Sequence, residues 1–397
     1  MAMDALNPPR KSGRTGSFFN DPKVRGVMYQ AIALFLIALC LYWIISNTVE
    51  NLHRSNIASG YGFLNGRAGF DVGQSLIAFT SDSKYGRAFI VGLTNTILVA
   101  VTGIITATII GFIVGIGRLS NNWLIAKLSL AYVEFFRNIP PLLVIFFWYY
   151  AILSLLPLPR ESINLPLDTY LNNQGLLFPK PLAGDGFGLT LIACLVAFAL
   201  VIGLVLWSKK RQAATGRSLP VLAISIAILI ALPALTLILS GMPLTFEVPV
   251  AGRFGIRGGS TIGSEFISLF LALSFYTAAF IAEIVRSGIR GVSKGQTEAA
   301  HALGIRPRQT TRLVVVPQAM RIIIPPLTSQ YLNLMKNSSL AVAVGYADLV
   351  AIGGTILNQT GQAIEVVSIW IIVYLSLSLI TAAIMNWFNA RVSLVER

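Results

Sequence analysis

The sequence predicts an all-α polytopic membrane protein with about eight transmembrane helices. Of its 397 residues, 55% are hydrophobic and only 12% are charged, about half the charged share of a soluble domain, and mean hydropathy is +0.73. Several apolar runs reach the roughly 20 residues that a helix needs to cross a bilayer. The basic residues behind the net charge of +14 flank these runs. They are not gathered on a polar domain, so they read as topology signals and not as a nucleic-acid surface.

Eight runs qualify as spans: 27–47, 88–117, 128–156, 188–207, 219–240, 262–289, 322–345 and 367–387. The first follows a polar, basic stretch, 1–26, and no small-residue cleavage site comes after it. It is therefore expected to stay as a span and not to be removed as a signal peptide. Runs 188–207 and 219–240 form a hairpin joined by Lys209, Lys210, Arg211 and Arg217. Three longer connections, 48–87, 157–187 and 241–261, hold Gly, Pro, Asn and Asp in turn-forming combinations with little helical periodicity. They are expected to build a rim and not a separate domain. No internal repeat is visible.

Orientation follows from lysine and arginine. With the N-terminus inside, the inner segments carry Arg10, Lys11, Arg14, Lys23, Arg25, the hairpin cluster, and Arg290, Lys294, Arg306, Arg308, Arg312 and Arg321. The outer segments carry far fewer, which places both termini in the cytoplasm. The two cysteines, Cys40 and Cys194, lie within apolar runs, so no disulfide framework or thiolate metal site is indicated. No Gly-Lys dipeptide occurs and the two histidines are His53 and His301. The chain thus lacks a P-loop for ATP, and no nucleophile or metal-ligand spacing is apparent. It is not expected to be an enzyme or to hold a cofactor.

The inner segment 291–320, GVSKGQTEAAHALGIRPRQTTRLVVVPQAM, is too polar to span. Ser293 and Gln296 fit a capping box. A helix from there through Leu303 would end at Gly304, a residue suited to the left-handed position after a helix, before Pro307. About ten residues give a rod roughly 15 Å long. Ala299, Ala300 and Ala302 would give it a surface that another protein can approach closely, with Glu298 as an acceptor. The same features fit a connector helix on the bilayer surface.

Charges inside spans are costly and are candidates for function. Glu134 and Arg137 stand three apart in the third span, and Glu283 and Arg286 in the sixth, so each pair can neutralise itself on one helix face. Structural pairing or a cytoplasmic gate fits both better than substrate contact. Lys336 lies roughly 22 Å beyond Arg321 on a regular helix, well inside the bilayer, with Asn333, Asn337 and Ser338 around it. This cation and these amides could meet the carboxylate of a small zwitterion. Pairing with a neighbouring helix is the alternative.

Glu298-Ala299-Ala300, three further residues, Gly304, then Val316-Pro317 resembles the EAA loop of ABC importer permeases. YVEFFRNIPPLLVIFFWYYAIL (132–153), FYTAAFIAEIVRSGI (275–289), GQTEAAHALG (295–304) and LMKNSSL (334–340) resemble the polar-amino-acid class, which includes histidine and glutamine permeases. The resemblance implies a type I core of five spans, in segments 88–156 and 262–391 of a permease domain at 88–391. The N-terminal unit 27–87 and the hairpin with its flanks, 157–261, depart from the minimal pattern. With the length, they resemble the larger Q-type permease subunit of general L-amino-acid transporters.

The resemblance implies that 291–320 is the coupling loop, with Glu298, Ala299, Ala300 and Gly304 contacting a cytoplasmic ATP-binding subunit. ATP and magnesium would sit on that partner. A second permease chain, similar or identical, and a periplasmic amino-acid-binding protein complete the implied assembly, in a bacterial inner membrane and in contact with its lipid. A secondary transporter driven by an ion gradient is the rival. It would call for inverted repeats and broken helices around an ion site, and it leaves the EAA segment without a purpose.

Overall fold

A computed structural model describes residues 22–54, 59–216, 219–252 and 255–392. Most of the expected tail 1–26 lies outside them. Helices α1 (Pro22–Arg54), α2 (Tyr85–Gly117), α5 (Phe187–Thr215), α6 (Val221–Leu239), α7 (Ser264–Arg290) and α12 (Ala363–Val392) are each long and apolar enough to cross a membrane. Two bent pairs bring the number of candidate spans to as many as eight.

The bent pairs are where the expected spans change. The run 128–156 is two helices, α3 (Trp123–Arg137) and α4 (Pro141–Leu155), meeting at 106°. Pro140 and Pro141 cause the break. The residue before a proline avoids the helical region, and a proline supplies no N–H to the turn behind it. Pro141 then starts α4, where a missing N–H is harmless.

The run 322–345 is also redrawn. After the short α8 (Lys294–Ala302) and α9 (Pro307–Thr310), a single π-helical turn at Thr311–Val315 leads into α10 (Val316–Asn337). Thus α10 begins six residues early and runs through Pro325 and Pro326. It tightens into a 3-10 segment, Ser338–Val344, and is followed after a 52° bend by α11 (Leu349–Thr360), which the sequence reading did not anticipate.

The main core joins α2, α4, α7 and α10 through Val99, Ala107, Ile145, Leu273, Ile281, Ile323 and Leu334, all nearly without exposure. The contact between α2 and α7 is very close. Gly111 and Gly115, one turn apart, lie against Ala278, Ile281, Ala282 and Val285. Small residues four apart let two helix backbones approach, and dispersion supplies the attraction that lipid cannot. A second core joins the start of α2 to α11 and α12 through Ala88, Phe89, Leu349, Ile352, Ile356 and Val366.

The hairpin α5–α6 packs on itself. Its flanks, expected to be irregular, form short strands that zip across it. β1 (Ile163–Leu165), β2 (Thr169–Asn172) and β3 (Gly175–Phe178) extend to β8 (Ser260–Gly263) in one antiparallel sheet. β4 (Lys180–Ala183) pairs with β5 (Leu244–Glu247), and β6 (Val250–Gly252) with β7 (Gly255–Arg257). Partners such as Leu177 and Thr261 are far apart in sequence, so no local pattern announces them. Helix α1 buries none of its apolar window in the rest of the chain.

Candidate functional site

Helix α8 has the expected exit. Gly304 adopts φ +73°, its N–H donates to His301 O at 2.9 Å, and Ile305 N–H donates to Ala300 O at 3.1 Å. These two bonds are a Schellman motif, which satisfies carbonyls at the helix end. The start differs from expectation. Ser293 is the N-cap residue, but its side chain makes no capping bond. Gln296 does not reach back to it, because its Oε1 accepts from Gln318 Nε2 of α10 at 3.3 Å.

The exposed surface of α8 also differs. Ala300 is 4% exposed and packs into its own chain, so it does not present itself to a partner. The free face consists of Glu298, Ala299, His301 and Ala302, with Leu303 at 80% exposure just beyond the last turn. An isolated apolar side chain of that exposure, beside a flat alanine surface, suits insertion into a partner's pocket.

The charged residues regroup. Glu134 and Arg137 do not pair. Glu134 is exposed, and Arg137 lies over the Phe280 ring with its guanidinium 4.0 Å from Glu283. Glu283 does pair with Arg286, one turn on, and also with Arg118 from the end of α2. One carboxylate therefore ties together the ends of α2, α3 and α7 under three guanidiniums. Sequence spacing finds pairs within a helix, whereas Arg118 reaches Glu283 from 165 residues away.

Lys336 and Asn333, one turn apart on α10, share an exposed face of this chain. Asn337 is half-buried beside them. Ser338 turns the other way, fully buried, and donates to Met335 O at 2.7 Å. It therefore does not join Lys336 in a common site.

Sequence reasoning missed Asp348. This residue is 1% exposed at the break before α11. Its Oδ1 caps the helix by accepting from Ala351 N–H at 2.8 Å, and Tyr374 OH donates to Oδ2 at 3.3 Å. Nearby, Leu349 N–H donates to Thr96 Oγ1 at 3.1 Å and Trp370 Nε1 donates to Leu349 O at 3.1 Å. The break is thus anchored to α2 and α12. An Asp directly ahead of an apolar run was the available signal.

A coupling-type helix, a charge lock at the nearby helix ends and a polar face on α10 occur on one membrane-spanning chain. The family described as binding-protein-dependent transport system inner membrane component matches residues 210–394. The general L-amino acid transport system permease protein AapQ of Rhizobium johnstonii is 64% identical, over 95% of this chain and 94% of that protein. The chain belongs to the amino-acid ABC permeases.

The permease is also similar to the putative amino-acid ABC transporter permease protein YhdX of Escherichia coli, at 47% identity over 98% of this chain and 99% of that protein. A third relative is the glutamate/glutamine/aspartate/asparagine transport system permease protein BztB of Rhodobacter capsulatus. It is 38% identical over 99% of both chains. In such importers the permease is the non-catalytic membrane component, and ATP is hydrolysed on a separate subunit.

Proposed function

We propose that this permease carries polar L-amino acids of broad range into the cytoplasm as one transmembrane subunit of a binding-protein-dependent importer. The near full-length likeness to a general L-amino acid permease at 64% identity carries the reading. Glu298, Ala299, Ala302 and Leu303 dock on a cytoplasmic ATP-binding subunit, which holds ATP and magnesium. Gly304 sets the angle of that contact, and Ala300 supports it from within. A second permease chain completes the path and a periplasmic binding protein delivers the substrate. Both termini lie in the cytoplasm of a bacterium whose inner membrane holds the assembly. Lys336 and Asn333, facing away from this chain's core, meet the substrate carboxylate between the two permeases.

Reconstitution of the purified complex in liposomes tests this. Uptake of L-amino acids should require ATP and loaded binding protein, and should persist when ionophores collapse proton and sodium gradients. Uptake driven by a gradient alone would return the reading to a secondary transporter.

Two substitutions probe the parts. A side chain at Gly304 has open space around it, so its cost is in the backbone alone, about 1–2 kcal/mol for a left-handed residue. Gly304→Val should leave membrane abundance normal while ATP hydrolysis stops responding to loaded binding protein. Gly304→Asn, which tolerates this backbone, should keep most of the coupling. Parental transport by Gly304→Val would make α8 a mere connector.

Lys336→Met removes a charge-assisted contact worth on the order of 1.5–3 kcal/mol. It should abolish transport while the assembled complex is recovered in normal yield. Loss of the complex itself would assign Lys336 to helix pairing instead.

A further inference from the structure

The strand-bearing end of the molecule, outside in the proposed orientation, contains a pocket of about 230 Å³ that none of the roles above uses. Its walls come from segments that are remote in sequence: Gln74, Gln174, Thr261 and Gly263, Glu265 in the first turn of α7, and Tyr346. Gln174 and Thr261 belong to the insertion around the α5–α6 hairpin. The volume is below the roughly 300–1,000 Å³ of sites for drug-sized ligands, so a small solute is the fitting occupant.

The pocket holds one carboxylate, Glu265, beside the side-chain amides of Gln74 and Gln174 and the hydroxyl of Thr261. A side chain at Gly263 would place its Cβ 2.7 Å from Glu265 Oε2 and 3.6 Å from Gln74 Oε1. Both oxygens therefore lie close against Gly263, on the same wall of the pocket, and only a residue without a side chain fits between them as they stand. Glu265 is half-buried and makes no ion pair or hydrogen bond with the described residues. Behind the wall, Asn95 is wholly buried and its Nδ2 donates to Gln74 O and Ala347 O, both at 2.9 Å. This holds the two lining segments in place, and Asn95 Oδ1 remains a buried acceptor without a partner among the described residues.

A half-buried carboxylate and a side-chain carbonyl on one wall of the pocket match a group with several N–H donors and a positive charge. The described residues offer no cluster of three His, Cys, Asp or Glu for a metal ion. One carboxylate with one amide oxygen suits an organic ammonium better. We propose that this pocket is an outer substrate subsite, in which Glu265 and Gln74 receive the α-ammonium group of an amino acid before it reaches the helices. The proposal rests on the amino-acid reading above.

The test uses the whole complex in membrane vesicles, with Cys40→Ser and Cys194→Ser to remove the natural thiols and Thr261→Cys as a reporter in the pocket wall. A cationic methanethiosulfonate reagent should label this reporter about tenfold faster than an anionic one, as field focusing in a cleft allows. Glu265→Gln should bring the ratio close to one. Gln74→Leu, which removes the other acceptor, should lower it as well and serves if Glu265→Gln reduces complex yield. L-glutamine should slow cationic labelling, whereas the same molecule without its α-amino group should not.

Equal labelling rates in a parental complex that takes up L-glutamine would overturn the subsite and leave the transport function standing. Protection by both compounds alike would also overturn it, since the ammonium would then be irrelevant. A charge-selective pocket in a complex that takes up no amino acid would overturn the amino-acid reading, and with it the ligand assigned here.

Discussion

Gly115→Val is expected to separate α2 from α7 and to sharply reduce the yield of folded permease. A Cβ at Gly115 would lie 2.7 Å from Ala282 O and 2.8 Å from Val285 Cβ. One of these contacts is backbone and the other is a branched atom next to it, so neither can swing aside. The helices must part along their closest line of contact, at a cost of about 3 kcal/mol or more, the upper range for overpacking. Gly111 is similarly confined, with Ile281 Cγ2 2.5 Å from its Cβ position. By contrast, a Cβ at Gly103 meets only the tip of Leu334, at 3.3 Å. Gly103→Ala should therefore cost far less, because the Leu334 tip needs to give by only a few tenths of an ångström. Size-exclusion profiles in detergent and thermal midpoints of the three proteins would measure this. Equal stability of Gly115→Val and Gly103→Ala would show that the α2–α7 contact is looser than described.

Glu283→Gln should be nearly as damaging, for an electrostatic reason. Glu283 and Arg286 are each 22% exposed and Arg118 is 11% exposed, so water screens these charges poorly. Removing the carboxylate leaves guanidiniums from three helix ends facing one another. Breaking one side of a buried ion pair costs about 3–5 kcal/mol, and the lower figure suits this partly exposed site. Arg137, at 4.0 Å and 38% exposed, contributes little. The second substitution Arg118→Gln should recover part of the loss, because it removes the most buried uncompensated charge. A double-mutant cycle on thermal stability isolates that coupling. Strictly additive losses would mean that the two side chains do not interact. If the complex instead folds normally but leaks substrate, the lock acts as a gate more than as a brace.

Much of the permease follows from its sequence alone. The apolar runs had to become helices, since a bilayer offers no water to unpaired backbone groups. Gly304 was legible as a helix end because few residues adopt its backbone conformation without strain. The EAA spacing was legible because it is local. The breaks at Pro140-Pro141 and before Asp348 were also written locally, but the apolar runs on either side masked them.

Tertiary structure alone decided the rest. Three arginines gather on Glu283 because α2, α3 and α7 end together, and no spacing along one helix encodes that. Ala300 and Ser338 turn inward because their neighbours in space, and not in sequence, cover them. Gln74, Gln174 and Glu265 share a pocket because β3 pairs with β8 across the hairpin while Asn95 holds the segment around Gln74. Local propensities act over one or two helical turns. Charge pairing, burial and pocket shape depend on which distant segments meet, and packing alone determines that.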